Sequence, residues 1–412
     1  MKNRVIYIIW IVLSGLLFGQ NSLLSLNGYG EYMNTYDASS LSLGESRMFS
    51  DNFNGISLSS SSSLSKFNSS YLAMTVSFNE HNADRLSKVN SNILHLISYT
   101  FPISKSSLFS FGMNPVFRSD ISVQETEFQI FGANDSPIDT DSDGINDPVA
   151  YNTYYDFSGG ISEFYGSFSS KIGNNFNLGL KFGKLFGSSI RASSLRFYEI
   201  NYFQDGSIPD FNLFSSQNST NSYEYSSYNY EIDLRFSIPN INFDNEFVVI
   251  YGSSDKMNVK VEFDNSSTSQ NFSSLNGMSN LGVGFKSDIF DDFGLIFELN
   301  NFKAYKSDHL LNIFNNDYPD ISSAHIGFYN TIDDFAFRSG LCYKKYILES
   351  KDIIDLGITF GFGVKYLNKN SFNFGLKLGE RRSDFYNLHD EKYFKLYITL
   401  ISSEDWFIKK RK

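Results

Sequence analysis

A single cysteine, Cys342, stands in the 412 residues, so no disulfide can form within the chain. Only seven prolines are scattered along it, and no Pro-rich or long charged linker divides it into domains. Apolar runs are short: the longest, Val5 to Phe18, is broken by Ser14 and Gly15 and falls below the roughly 20 residues that a spanning helix needs. Positive charge is not in excess, since 45 acidic residues outnumber 34 basic ones, which argues against nucleic acid as a partner. Catalytic signatures are also missing. The five histidines, His81, His95, His309, His325 and His389, form no HExxH pair, and neither a GxSxG elbow nor a GxxxxGK[ST] phosphate loop occurs. The chain therefore does not read as an enzyme.

What it has instead is alternation. Leu356, Ile358, Phe360, Phe362, Val364 and Tyr366 are interleaved with Asp355, Gly357, Thr359, Gly361, Gly363 and Lys365, and the pattern returns at Phe372, Phe374, Leu376 and Leu378. Successive side chains of a strand point to opposite faces, so each such strand has one apolar face and one face of small or polar groups. That is the requirement of an antiparallel transmembrane β-barrel, with hydrocarbon outside and water inside. Aromatics reach 17%, with 42 Phe and 26 Tyr, and a barrel places these on its lipid face and in its interfacial girdles. Strand candidates run from Tyr71 to Ile401; the tally is 16, of which the pair around Val248 and Val259 includes extracellular extensions, so about 14 spanning strands are expected, with 16 as the neighbouring count.

Lys2 and Arg4 before the apolar run read as an export signal over residues 1–19, followed by an N-terminal hatch or plug segment at 20–70 and the barrel at 71–412. The Ser-rich stretch from Asn21 to Lys66 has two readings, a flexible lead into the first strand and a plug folded back into the barrel; the plug is the expectation taken forward. Tight turns alternate with long connections, among them Asn79–Asn92, Arg118–Asp156, Phe203–Ser222, Asn301–Ser323, Lys344–Ile354 and Gly379–Lys392, and the long ones are expected outside the cell. This predicts a protein of the outer membrane of a Gram-negative (diderm) bacterium, with outer-membrane lipid and the barrel-insertion machinery as partners. The aromatic last strand, Phe394 to Leu400, suits recognition by that machinery. Trp406, Phe407 and the basic Lys409 to Lys412 suit the periplasmic interface.

One loop carries a metal-like motif. Asp139, Asp141 and Asp143 alternate ahead of Gly144, with the Ile145 carbonyl and Asp147 after it. Alternate carboxylates on a tight turn can converge on a hard cation, so this DTDSDGIND stretch is a candidate structural Ca2+ clip; a solvated acidic loop is the other reading. It resembles the DxDxDG loops of EF-hand and thrombospondin type 3 repeats, but Ala150 stands where an EF-hand has its bidentate Glu. A second constellation lies on polar strand faces: Lys181, Glu231, Asp233, Arg235, Lys286, Glu298, Arg338, Lys365, Lys377 and Lys395. Both signs are present, which fits interior ion pairing better than a strongly ion-selective filter.

The segments ASSLSLGES, SFGMNPVFR, SGGISEFYGSFSSKIGNNFNLGLKFGKLFG, FRSGLCYKK, ITFGFGVKY, NFGLKLGERR and WFIKKRK together resemble the FadL/TodX-type (OmpP1-like) outer-membrane hydrophobe transporters, in particular a diverged Bacteroidetes-like branch. An Asn-Pro-Ala element common after the early Gly segment in that family is replaced here by SLSSSSSLSK. The resemblance implies a barrel of about 14 strands with an N-terminal hatch and passive uptake of hydrophobic small molecules of the fatty-acid or hydrocarbon class. It equally leaves open a shuttle or assembly barrel of type IX secretion that binds a secreted protein cargo, and, third, a general porin. No ligand-binding residue follows from it.

Overall fold

A computed structural model of the protein describes residue 24 and residues 30–51, 57–66, 69–83, 89–124, 128–131, 149–201, 210–239, 244–263, 270–290, 292–305, 319–348, 351–366, 370–383 and 390–404. The elements in chain order are β1 (Glu31–Tyr32), α1 (Ala38–Ser42), a 3-10 turn (Ser61–Lys66), β2 (Ser70–Ala83), β3 (Val89–Pro102), β4 (Ser107–Arg118), β5 (Ile121–Gln124), β6 (Gln129–Phe131) and β7 (Val149–Ile172). After these come β8 (Phe176–Asn201), β9 (Asp210–Pro239), β10 (Asp244–Ser254), β11 (Met257–Phe263), β12 (Gln270–Leu275), β13 (Ser279–Phe290) and β14 (Phe293–Lys303). The chain continues through β15 (Asp320–Ile332), β16 (Phe335–Leu348), β17 (Lys351–Tyr366), β18 (Asn370–Ser383) and β19 (Glu391–Glu404).

Antiparallel pairing runs from β2 to β3, β4, β7, β8, β9, β10, β13 and then in order to β19, which pairs back onto β2, closing a barrel of 14 strands. Closure pairs the strands around the wall, where an unpaired backbone group in hydrocarbon costs several kcal/mol, except along part of the β3–β4 seam. The register puts the alternation where it is needed. Leu356, Ile358, Phe360 and Phe362 are exposed on the outer face, whereas Asp355 and Thr359 are fully buried inside. Tight turns close one end; in the β15–β16 turn Asp333 takes a left-handed φ of 51°, which aspartate tolerates better than most residues.

The strands at the other end are longer than the sequence pattern predicts. Pairing continues through stretches expected to be loops, so β8 reaches 26 residues and β9 reaches 30, against the roughly 9–11 that span a bilayer. Two alternating segments, Phe176–Phe186 and Ser194–Asn201, with GSSIRAS between them, belong to the single strand β8. Their polar, serine-rich overhang hides the apolar signal but still satisfies its backbone by pairing. β5 and β6 extend the sheet along the upper part of β7, and β11 along β9. Of the Val248 and Val259 pair, β10 is a barrel strand and β11 belongs to this overhang. The expected long loop at Lys344–Ile354 is instead a hairpin, with Leu348 opposite Lys351.

Candidate functional site

The interior is filled from the N-terminal side. Residues 30–51 and 57–64 are almost entirely buried, and their partners lie on the inner faces of the strands. Asp37 caps α1 by accepting from the Ser40 amide at 2.9 Å and the Ser40 hydroxyl at 2.8 Å; burial raises the pKa of its carboxyl against these bonds. A single turn of helix is unstable alone, so α1 depends on the wall. The Ala38 amide donates to Thr399 Oγ1 at 2.8 Å, and Thr359 Oγ1 bridges the Gly44 amide and the Ser42 carbonyl at 2.9 Å each. The wall makes room with glycine: a Cβ at Gly340 would lie 2.3 Å from the Gly44 nitrogen, and one at Gly375 would lie 2.4 Å from the Ala38 oxygen.

Charge fixes the segment on opposite sides. Its acids meet the cations of β16, β18 and β19: Glu45 pairs with Lys344 at 2.8 Å and Lys377 at 3.0 Å, Asp51 with Arg338 at 2.7 Å, and Glu31 with Arg381 at 3.0 Å and with Lys395. Its base, Arg47, meets Glu231 of β9. Glu298 of β14 accepts from the Ser46 hydroxyl and from the backbone amides of Arg47 at 2.9 Å and Met48 at 2.7 Å. Asp233 holds the Ser62 amide at 3.0 Å. Burial pushes the Glu45 carboxyl up, but Lys344 and Lys377 outweigh it and hold it well below the usual carboxylate range.

The wall has a slot beside this segment. β3 pairs with β4 only from Ile97–Pro102 to Leu108–Met113; among the described residues no ladder joins Val89–Leu96 to β4. Two sequence features part the strands. His95 is a bulge residue, skipped between Thr75–Leu96 and Val76–Leu94, and Pro115 brings no amide to the β4 edge. β1 takes the edge that β3 leaves: Glu31 pairs with Arg118, Tyr32 pairs with Phe117, and the Met33 amide donates to the Val116 carbonyl at 2.9 Å.

Behind the slot the lining changes character across one row of side chains. Toward the long-loop end an apolar cluster includes Val116, Phe117, Ile161, Phe302, Ile321, Tyr346 and Ile353, with Tyr32 packed against it. Two residues along each strand, on the same inner face, stand Asn300, Ser323, Lys344 and Asp355. An apolar cluster at the outer end therefore sits on a polar, ion-paired floor.

The candidate lumen charges Glu231, Asp233, Arg235, Lys286, Glu298, Arg338, Lys377 and Lys395 are buried on inner faces, while Lys181 is partly buried and Lys365 is half-buried near a turn. Ion pairing, rather than a selectivity ring, is how most of them are used. The candidate calcium ligands Asp139, Asp141, Asp143, Ile145 and Asp147 lie outside the described residues, as do residues 1–19 and the basic tail. Sequence reasoning missed the slot, the apolar cluster and the two buried amides of Asn280 and Asn300. The signal was the switch from polar to apolar two residues apart in Asn300/Phe302, Lys344/Tyr346 and Ile353/Asp355, which gains meaning only once the register is known.

A sequence model of the BamG family matches residues 1–412. Among solved structures, the chain is similar to the Ralstonia pickettii toluene transporter TbuX at 9% identity, covering 90% of this chain and 98% of that one, with a TM-score of 0.54. It is similar also to the CymD monoaromatic hydrocarbon channel, at 9% identity, 90% and 98% coverage and a TM-score of 0.53. A Pseudomonas aeruginosa FadL homologue matches at 11% identity, 91% and 99% coverage and a TM-score of 0.50. At such identities the likeness is one of fold, and it bears out the FadL/TodX-type barrel expected from the sequence. No curated protein matches the chain. A closed barrel of this type with an apolar outer wall is an outer-membrane β-barrel.

Proposed function

The chain belongs to the BamG family, and we propose that it is a gated outer-membrane channel for hydrophobic small molecules, captured in its closed state. The observation that carries this reading is the apolar cluster behind the slot between β3 and β4, covered by β1. A polar lumen would be the default in a barrel that passes ions or sugars. An apolar solute buried against this cluster gains about 25 cal/mol per Å2, enough to drive capture without an energy source. The N-terminal segment acts as the hatch: clamped by ion pairs to the polar floor, it closes the lumen, and release of β1 opens a way through the wall. The neighbours named as hydrocarbon channels and a toluene transporter agree with this substrate class.

Uptake of a long-chain fatty acid or an aromatic hydrocarbon, compared in cells with intact protein, protein lacking residues 27–66 and no protein, tests the reading. Uptake should need the barrel and should lose its gating with the deletion. Equal uptake by all three strains refutes it. A second reading, a barrel that docks a secreted or assembling protein, is favoured by the overhang, which exposes Ile130 of β6 and Leu213 and Phe214 of β9. Co-purification of a secreted cargo with the intact protein, together with equal uptake by the three strains, would put that reading first.

A further inference from the structure

The inner wall of β13–β16 carries a small cavity where the apolar cluster meets its polar floor. Tyr32, Phe302, Ile321 and Tyr346 close it on the apolar side, and Asn34, Asn280, Asn300, Ser323 and Lys344 on the polar side. The cavity has room for one water-sized group. Asn280 and Asn300 are each 9% exposed, and among the described residues the Asn280 Nδ2 and both polar atoms of the Asn300 amide have no hydrogen-bond partner. Buried amides left unpaired are uncommon in folded proteins, and they mark a place where a polar group is missing.

From this juxtaposition we propose that the cavity is the head-group site of the channel, and that it takes an uncharged hydroxyl on an aromatic body, a phenol-type amphiphile. The proposal rests on the channel reading given above. A carboxylate is a poor fit because the nearby cation, Lys344, already pairs with Glu45 at 2.8 Å, and because a carboxylate only accepts and would leave the amide oxygen of Asn300 unpaired. A plain hydrocarbon would leave every amide atom unpaired. A hydroxyl both donates and accepts, so it can donate to the amide oxygen of one asparagine while accepting from the amide nitrogen of the other, whichever way the amides are turned.

The ring has a ready-made place. Tyr32 of the N-terminal segment, itself a phenol, stacks on Phe302 with ring centroids 4.0 Å apart and an interplanar angle of 19°, and lies 5.3 Å from the ring of Phe117. Tyr32 thus stands in for the ligand when the hatch is shut, and ligand and Tyr32 compete for one aromatic slot. Entry of the ligand then displaces β1 from the β4 edge, which couples recognition to opening.

The test is binding of 4-propylphenol, propylbenzene and 4-propylbenzoate to the purified full-length barrel in detergent, read by calorimetry. The phenol should bind at least about tenfold more tightly than either partner. Tyr32→Ala should tighten phenol binding by roughly tenfold, since the competitor is gone, whereas Asn300→Leu should abolish the preference over propylbenzene. Asn280→Leu is the parallel variant should the first not fold, as judged by migration before and after boiling. Equal binding of all three compounds, or a preference for the benzoate, overturns the head-group site and leaves the channel reading standing. Tyr32→Ala without effect on phenol binding also overturns it. Absence of binding alongside hydrophobe uptake in cells overturns the site alone; absence of both overturns the channel as well.

Discussion

Replacing Glu298 by alanine should free the middle of the lumen segment without breaking the barrel. Glu298 is fully buried, and its carboxylate accepts from the amides of Arg47 and Met48 at 2.9 and 2.7 Å and from the Ser46 hydroxyl. The hydroxyl has a second acceptor in the Phe49 carbonyl at 3.4 Å, so the two backbone amides bear the loss. A buried donor left unsatisfied costs about 1–3 kcal/mol, giving about 2–6 kcal/mol for the pair. That corresponds to a local opening equilibrium raised roughly 30-fold to 20000-fold at about 1.4 kcal/mol per factor of ten. Hydrogen exchange of the peptide around Gly44–Ser50, followed by mass spectrometry, reads the change directly. Glu298→Gln keeps one carbonyl acceptor and should lose only about 1 kcal/mol. Exchange of the Arg47 and Met48 amides in Glu298→Ala no faster than in the native protein would refute the clamp.

Two further outcomes follow from the same geometry. Phe360→Arg places a charge on the lipid face and should cost about 2–4 kcal/mol near midplane, measured by urea unfolding in vesicles; Thr359→Arg, which the sequence alone would rank as milder, should instead expel the segment at Ser42–Gly44, because Thr359 is fully buried and bonded to both residues. Glu45 is held below the usual carboxylate range, so its contribution is present at neutral pH and is lost as pH falls through its depressed value; amide protection around Glu45 should drop on acidification, and Glu45→Gln should flatten that dependence.

The barrel was legible because each spanning strand must alternate: Leu356 to Tyr366 has no other stable placement for its two faces. The overhang was not legible, since beyond the membrane a strand such as Asp210–Thr220 needs only backbone pairing, and its serines and asparagines look like loop. The glycines between apolar residues were read as merely small. Gly340 and Gly375 in fact make room for the backbone at Gly44 and Ala38, and nothing local reveals a contact with residues some 300 positions away. The interior charges were identified as a set, but their pairing with Glu31, Glu45 and Asp51 depends on which strand faces which turn of the N-terminal segment. The slot had a local trace in Asn114–Pro115, yet the bulge at His95 that completes it needs the β2–β3 register.

Locking β1 to the wall tests the gated channel most directly. Glu31 and Arg118 are directly opposed partners of the β1–β4 ladder, so cysteines at both positions can be joined by oxidation, and the native thiol, Cys342, is buried and apart from them. Uptake of an aromatic hydrocarbon by cells carrying the Glu31→Cys, Arg118→Cys protein should stop on oxidation and return on reduction. Equal uptake in the oxidised and reduced states would contradict passage through the slot.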